Sequence, residues 1–194
     1  GAPTQSLAVI TASEPHRLQY FRWGLVPYWS KEVSRSTPVI NARAESLDEK
    51  PMFRQPFKKR RCLVPADGFY EWVHSGKKQP YRFQMKDESP FAMAGIWEQW
   101  SHEPGKTLFS FAIITTSPNK LMEPIHNRMP VILEKHFYST WLESNDEKEL
   151  NELLKPYPEY KMKAYKVSDK VNPVKAEGPE LLKPIEEADL FTSD

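Results

Sequence analysis

Glu71 and His126 are the residues of this chain best suited to moving a proton, since carboxyl and imidazole groups are the usual general acids and bases. Glu71 lies in Phe69-Tyr70-Glu71-Trp72, directly after the turn-forming Pro65-Ala66-Asp67-Gly68, and His126 opens His126-Asn127-Arg128-Met129-Pro130. Both stand among aromatics, prolines and arginines rather than on a charged helix face, which points to one buried reaction centre. A third segment, Asn41-Ala42-Arg43-Ala44-Glu45, follows an apolar run and can supply a positioning amide and a phosphate-binding arginine.

Each of these residues also has a plainer reading. In a strand, Glu71 either alternates outward into solvent or points into a cavity at a desolvation cost; Asp67-Gly68 marks a turn in both cases. His126 is either a core histidine satisfied by a backbone carbonyl or a member of a site. Trp23, Trp29 and Arg43 can form a stacking and phosphate-binding wall for a single nucleic-acid strand, or be core tryptophans beside a buried ion pair. His16, His74, His102 and His136 occupy polar or turn contexts and read as surface. With one cysteine, five dispersed histidines and no His-Glu-x-x-His segment, neither a metal site nor a cofactor is expected. There is also no glycine-rich phosphate loop and no serine nucleophile elbow.

Composition narrows the class. A chain of 194 residues is most simply one domain with one sizeable core. The hydrophobic fraction is 39%, and no apolar run approaches the roughly 18 residues needed to span a membrane, so a soluble protein without a membrane partner is expected. Cys62 is the single cysteine, which excludes an intrachain disulfide and favours a reducing, cytoplasmic location. A net charge of +1 falls short of a nonspecific nucleic-acid binder, so any such site must be local. Lys58-Lys59-Arg60-Arg61 with Arg54, and Lys77-Lys78 in a later turn, are the local candidates; the plain reading is solvated surface.

The elements that must hold these groups are mostly strands. Alternating or apolar runs at Leu7 to Thr11 and Leu18 to Trp23 predict an opening pair, and Pro27, Trp29 and Pro38 then mark a long loop. A β-rich block follows at Cys62 to Tyr70, Tyr81 to Met85, Phe91 to Trp100 and Leu108 to Thr116, with Lys163 to Val167 as a last strand. Such a series predicts an α+β domain with a curved, barrel-like, mainly antiparallel sheet flanked by short helices. Helices are expected at Pro118 to Met122, Glu134 to Leu142 and Asp146 to Leu154. The 18 prolines exceed the usual share of about 5%, so ordered loops are extensive. Residues 186–194 read as an acidic frayed tail after a domain covering 1–185.

The segments taken in order carry a specific resemblance. Arg22-Trp23-Gly24-Leu25-Val26-Pro27 with Trp29, Asn41 to Glu45, Cys62 to Trp72, Ile114-Thr115-Thr116 and His126 to Pro130 are similar to the SOS response-associated peptidase (SRAP) family over essentially the whole chain. The resemblance implies binding of single-stranded DNA and a covalent cross-link to abasic sites in a DNA damage response. It also implies an N-terminal cysteine as nucleophile, exposed by autoproteolytic removal of the initiator methionine. Glu71 is then the acid/base for sugar ring opening and methionine removal, His126 assists proton transfer and reversal, and Asn41 positions the N-terminal residue. Arg43 and Arg128 hold phosphates, Trp23 and Trp29 shape the path of the strand, and Thr115 lines the pocket. Ala2-Pro3 resembles a family segment some forty residues beyond that cysteine, so the catalytic N-terminal stretch is expected to lie outside this sequence. A monomer is expected. The alternatives are a peptidase acting on other proteins and a noncatalytic single-strand binding module.

Overall fold

The computed structural model describes residues 1–33, 38–73, 78–103 and 105–185. His74, Lys77, the side chain of His102 and the acidic tail at 186–194 lie outside the described residues. In chain order the strands and helices are β1 (Ser6–Thr11), β2 (Gln19–Trp23), β3 (Asn41–Arg43), α1 (Pro51–Lys59), β4 (Arg61–Ala66), β5 (Phe69–Trp72) and β6 (Pro80–Met85). They continue with β7 (Phe91–Glu103), β8 (Lys106–Thr116), β9 (Met129–Pro130), β10 (Ile132–Leu133), α2 (Tyr138–Glu143), α3 (Glu147–Glu152) and β11 (Met162–Lys166).

The curved sheet closes on itself. β7 pairs with β4, β4 with β1, β1 with β2 and β2 with β8, while β8 returns to β7, making a five-stranded barrel with no free edge in the ring. The β2–β8 contact is parallel and the other four are antiparallel. Strand alternation divides the packing. Val9, Phe21, Cys62, Val64, Met93, Phe111 and Ile113, drawn from all five ring strands, form one buried cluster that fills the barrel. Their neighbours Leu63, Ala92, Ala94, Ile96, Ala112 and Ile114 face outward and are covered by Phe53 and Phe57 of α1, Trp141 of α2 and Leu150 of α3. A second sheet, ordered β11-β6-β5, adds Phe83, Met85 and Met162 to the first cluster.

The opening strand pair, the last strand, the single domain and the α+β class agree with the sequence reading, and so does the β-rich block, except that its Cys62 to Tyr70 run is split into β4 and β5 of two different sheets. Several elements differ. Residues after Pro118 form hydrogen-bonded turns rather than a helix: Met122 and Glu123 amides both return to the Asn119 carbonyl. Pro124 offers no N–H and disfavours helical geometry at Glu123, so no regular helix forms, and the chain continues in turns with the Ile125 and His126 amides returning to the Met122 carbonyl. The Glu134 to Leu142 helix is shorter, a 3-10 turn at Lys135–Phe137 followed by α2. Helix α1, which the sequence reading did not anticipate, forms despite the internal Pro56 because Phe53, Pro56 and Phe57 are all buried on one face.

The Lys58 to Arg61 run is not a uniform basic patch. Arg61 is 5% exposed, and its guanidinium donates to the carbonyls of Phe57, Lys58, Trp141, Leu142 and Ser144, tying the end of α1 to the end of α2. Arg60 pairs with buried Glu98 at 2.7 Å, and Lys58 pairs with Glu147 at 2.7 Å. Among the described residues, no helix is long and apolar enough to cross a membrane.

Candidate active site

The far end of β8 gathers the two polar motifs. Arg43 of β3 is the parallel register partner of Thr115, and Pro130 of β9 is its antiparallel partner on the other side. The sheet therefore sets Asn41-Ala42-Arg43 and the His126 loop on either flank of one strand end. Asn41 and Arg43 point to solvent while Ala42 between them is fully buried, as strand alternation requires.

Glu71 reaches this place on β5. The preceding turn is tight: a Cβ on Gly68 would lie 2.7 Å from the Phe83 carbonyl and 3.0 Å from the Arg82 guanidinium. Buried Arg82 holds that turn through the Asp67 carbonyl at 3.3 Å and is itself steadied by the Tyr165 hydroxyl at 2.9 Å. On either side of Glu71, the Tyr70 hydroxyl donates to the Leu181 carbonyl and the Trp72 indole N–H donates to Asn172 Oδ1.

The Glu71 carboxylate and the His126 ring face one another, with Oε2 and Nε2 4.0 Å apart. Their side chains keep only 27% and 22% exposure. Burial pushes the Glu71 carboxyl above its ordinary value, and the charge of His126 and a backbone hydrogen bond at Trp72 oppose that rise without cancelling it. The other ring nitrogen, Nδ1, meets the Arg128 carbonyl at 2.9 Å and the Arg128 N–H at 3.1 Å. His126 thus satisfies its plainer description, a ring seated on a backbone carbonyl, and still directs a nitrogen at Glu71.

Arg128 is anchored rather than loose. Its Nη1 and Nη2 donate to Glu45 Oε1 and Oε2 at 2.8 and 2.9 Å, and Nη2 also donates to the Thr115 carbonyl at 2.6 Å. That guanidinium holds the Glu45 carboxyl below its usual range, chiefly through the hydrogen bond. Thr115 is buried, so its contribution here is the carbonyl. Trp23 donates its indole N–H to the Ile40 carbonyl at 2.9 Å, which places the ring one residue from Asn41. Trp29 stays 49% exposed and packs edge-on against Tyr28 at 4.9 Å, on the loop whose Ser30 carbonyl takes the Trp100 indole N–H.

Cys62 is fully buried inside the barrel, and burial pushes its thiol far above the range in which a thiolate forms. No group of three His, Cys, Asp or Glu residues suited to a metal occurs among the described residues. Two broad clefts of about 600 and 620 Å³ lie elsewhere, one bordered by Phe91, Glu134 and Tyr157 and the other by Tyr28, Arg60 and Glu98; neither is lined by Glu71 or His126.

The SOS response associated peptidase (SRAP) family matches residues 1–174. The chain belongs to this family. The abasic site processing protein YoqW of Bacillus subtilis is 45% identical over 186 residues, covering 93% of this chain and 83% of its own. The rat abasic site processing protein HMCES is 33% identical across 84% of this chain and 55% of its own length. A crystal structure of a Bacteroides thetaiotaomicron protein superposes with a TM-score of 0.85 at 35% identity, over 94% of this chain and 82% of that one. A Bordetella bronchiseptica protein gives 0.78 at 29% identity, covering 87% and 86%.

Within this SRAP domain, Glu71, His126, Arg128, Thr115 and Arg43 converge at the end of β8, with Asn41 and Trp23 alongside through β3. Trp29 is held in a different neighbourhood. From the sequence alone Glu45 has no assigned role, and Arg82 and Tyr165 do not stand out. Glu45 carried a signal, an acid two residues from a candidate phosphate arginine; Arg82 and Tyr165 carried none, since polar residues within alternating strands read as surface.

Proposed function

We propose that this protein binds single-stranded DNA and joins covalently to abasic sites, with Glu71 and His126 as the acid/base pair. The observation that carries the reading is the 4.0 Å space between Glu71 Oε2 and His126 Nε2, too wide for a direct hydrogen bond and wide enough for a substrate oxygen to bridge. Its relatives are abasic site processing proteins, which supports DNA with a missing base as the partner.

An abasic deoxyribose exists mainly as a cyclic hemiacetal, and only its open aldehyde reacts with an amine. Glu71, whose carboxyl is shifted upward by burial, gives a proton to the ring oxygen as the C1–O bond breaks, while His126 takes the proton leaving the C1 hydroxyl. A free N-terminal amine adds to the aldehyde carbon and water leaves, giving a Schiff base. The thiolate of the same residue, a cysteine, then adds to that carbon and the nitrogen regains a proton, closing a thiazolidine. The family resemblance implies that cysteine, which is not among these 194 residues, and Cys62 has neither a free amine nor access. Glu71 acts likewise in releasing an initiator methionine, and reversal of the cross-link runs through the same pair. Asn41 orients the N-terminal residue, Arg43 and Arg128 meet phosphates, and Trp23 guides the strand at this end of β8, with Trp29 shaping its path further along. The protein works as a monomer in the cytosol or at the nucleoid.

Incubation of protein bearing an N-terminal cysteine with single-stranded DNA carrying one abasic site tests this. A heat-stable adduct, lost with Glu71→Gln or His126→Ala and absent with undamaged DNA, is expected. Binding without preference for the abasic site would leave a noncatalytic module, and cleavage of unrelated peptides would favour a general peptidase. Efficient adduct formation by the 194-residue chain itself would overturn the assignment of the nucleophile.

A further inference from the structure

We infer that Glu45 is a positioning residue for His126 and acts through Arg128; the inference rests on the reading of His126 as a proton-transfer group. The link has two halves. The backbone of Arg128 supplies both groups that meet His126 Nδ1, its carbonyl at 2.9 Å and its N–H at 3.1 Å, so the place of residue 128 sets the place of the ring. The side chain of the same residue is where Glu45 acts, through paired bonds of 2.8 and 2.9 Å.

Little else restrains that guanidinium. Its Nε–H is buried and, among the described residues, without a partner, so the remaining hold is the bond from Nη2 to the Thr115 carbonyl. Two of the three bonds therefore come from Glu45, in a planar fork that fixes orientation as well as distance. Glu45 belongs to the 3-10 turn Ala44–Ser46, immediately after β3, and β3 is locked to β8 by the Arg43 to Thr115 register. The geometry of the barrel end is carried in this way to a loop that has no regular structure of its own.

The charged groups around the His126 ring follow from the same contacts. Glu71 faces Nε2 from β5, Arg128 belongs to the ring's own loop, and Glu45 lies behind Arg128. One Nη1 proton of Arg128 is not spent on Glu45 or Thr115, so an oriented guanidinium can still meet a phosphate. Glu45 is 58% exposed in its side chain, and replacing it removes a fork without opening a core.

Glu45→Gln and Glu45→Asp, made in protein with an N-terminal cysteine, test the inference by single-turnover reaction with abasic single-stranded DNA from about pH 5 to 8. Affinity for undamaged DNA is measured alongside across a salt series. At saturating DNA, Glu45→Gln is expected to slow adduct formation roughly tenfold, as a small misplacement of a reacting group does, and to shift the pH profile. Glu45→Asp, which keeps the charge, restores part of the rate. An unchanged rate with tighter DNA binding would overturn the inference, showing Glu45 to be only a counter-ion that competes with phosphate. If the unsubstituted protein forms no adduct, the functional reading fails, and ring-nitrogen NMR of His126 decides the positioning role: changed signals in Glu45→Gln support it, and identical signals reject it.

Discussion

The indole N–H of Trp72 donates to Asn172 Oδ1 at 2.8 Å, which ties the strand that carries Glu71 to a segment one hundred residues further along the chain. Two more bonds reinforce the strap: Tyr70 and Tyr165 hydroxyls donate to the carbonyls of Leu181 and Leu182. β5 is the end strand of its three-stranded sheet, so this strap supplies restraint that a second neighbouring strand would otherwise give. Asn172→Ala should cost about 0.5–1.5 kcal/mol, the usual net worth of one such bond. Hydrogen exchange should quicken at β5 amides and stay unchanged in β4 and β7. Uniform quickening, or none, would contradict a local role for the strap.

Burial holds the Glu71 carboxyl above its ordinary 4.5. A raised acid binds its proton more tightly in the folded protein than in the unfolded chain. Its contribution to stability is therefore complete below the unfolded value and is lost as pH rises through the folded one. Glu71→Gln removes that loss, so the variant should melt higher than the unsubstituted protein near pH 7, by about 2–4 °C for each kcal/mol regained. The difference should close toward pH 4. Calorimetry across that range checks it, while the cross-linking rate of the same variant should fall by about 10²–10⁴-fold.

Cys62 lies against Gly95, where an added Cβ would come 2.8 Å from the Sγ, 3.0 Å from Val64 Cγ2 and 3.3 Å from the Ala112 carbonyl. Gly95→Ala should therefore destabilise by about 1–3 kcal/mol through overpacking. Combined with Cys62→Ala, the loss should be smaller than the two changes summed, because the nearest obstructing atom is gone. Thiol-labelling reagents should leave native Cys62 unmodified and react once denaturant is added; fast native labelling would contradict the buried thiol.

Arg61 ties α1 to α2 through carbonyls, and its removal leaves several buried acceptors unsatisfied. Arg61→Ala should cost at least about 3 kcal/mol in urea denaturation. Any folded fraction should bind DNA with an unaltered salt dependence, since this charge does not face solvent.

Arg43 is exposed and faces the opposite test. Arg43→Ala should weaken binding to single-stranded DNA uniformly across sequences and reduce the slope of log affinity against log salt by about 0.7, the share of one phosphate contact. An unchanged slope would remove Arg43 from the DNA path.

Much of the fold was legible because strands of alternating polarity, bounded by glycine and proline, leave a local mark. The runs at Leu7, Leu18, Tyr81, Phe91, Leu108 and Lys163 all became strands. What failed was local signal without tertiary context. Pro118 looked like a helix start, but with Pro124 in the segment only successive turns form; α1 had no clear local signal, and it holds its internal Pro56 because Phe53 and Phe57 are buried. The basic run at Lys58 to Arg61 looked uniform on paper, and only packing separated a solvent lysine from a buried guanidinium.

The sequence by itself determined the α+β barrel class and the family, and it singled out Glu71 and His126 as candidates, because residue type and order carry those. Tertiary structure decided the rest. Register between β3, β8 and β9 brings Arg43, Thr115 and the His126 loop together, and long-range contacts from Arg82, Tyr165 and Asn172 fix the strand that carries Glu71. The physical reason is that a general acid needs a set distance and a partly dry setting, and both come from residues far apart in the chain. Glu45 shows this most directly: its place two residues after Arg43 says little, and its grip on Arg128, eighty-three residues later, is visible only in three dimensions.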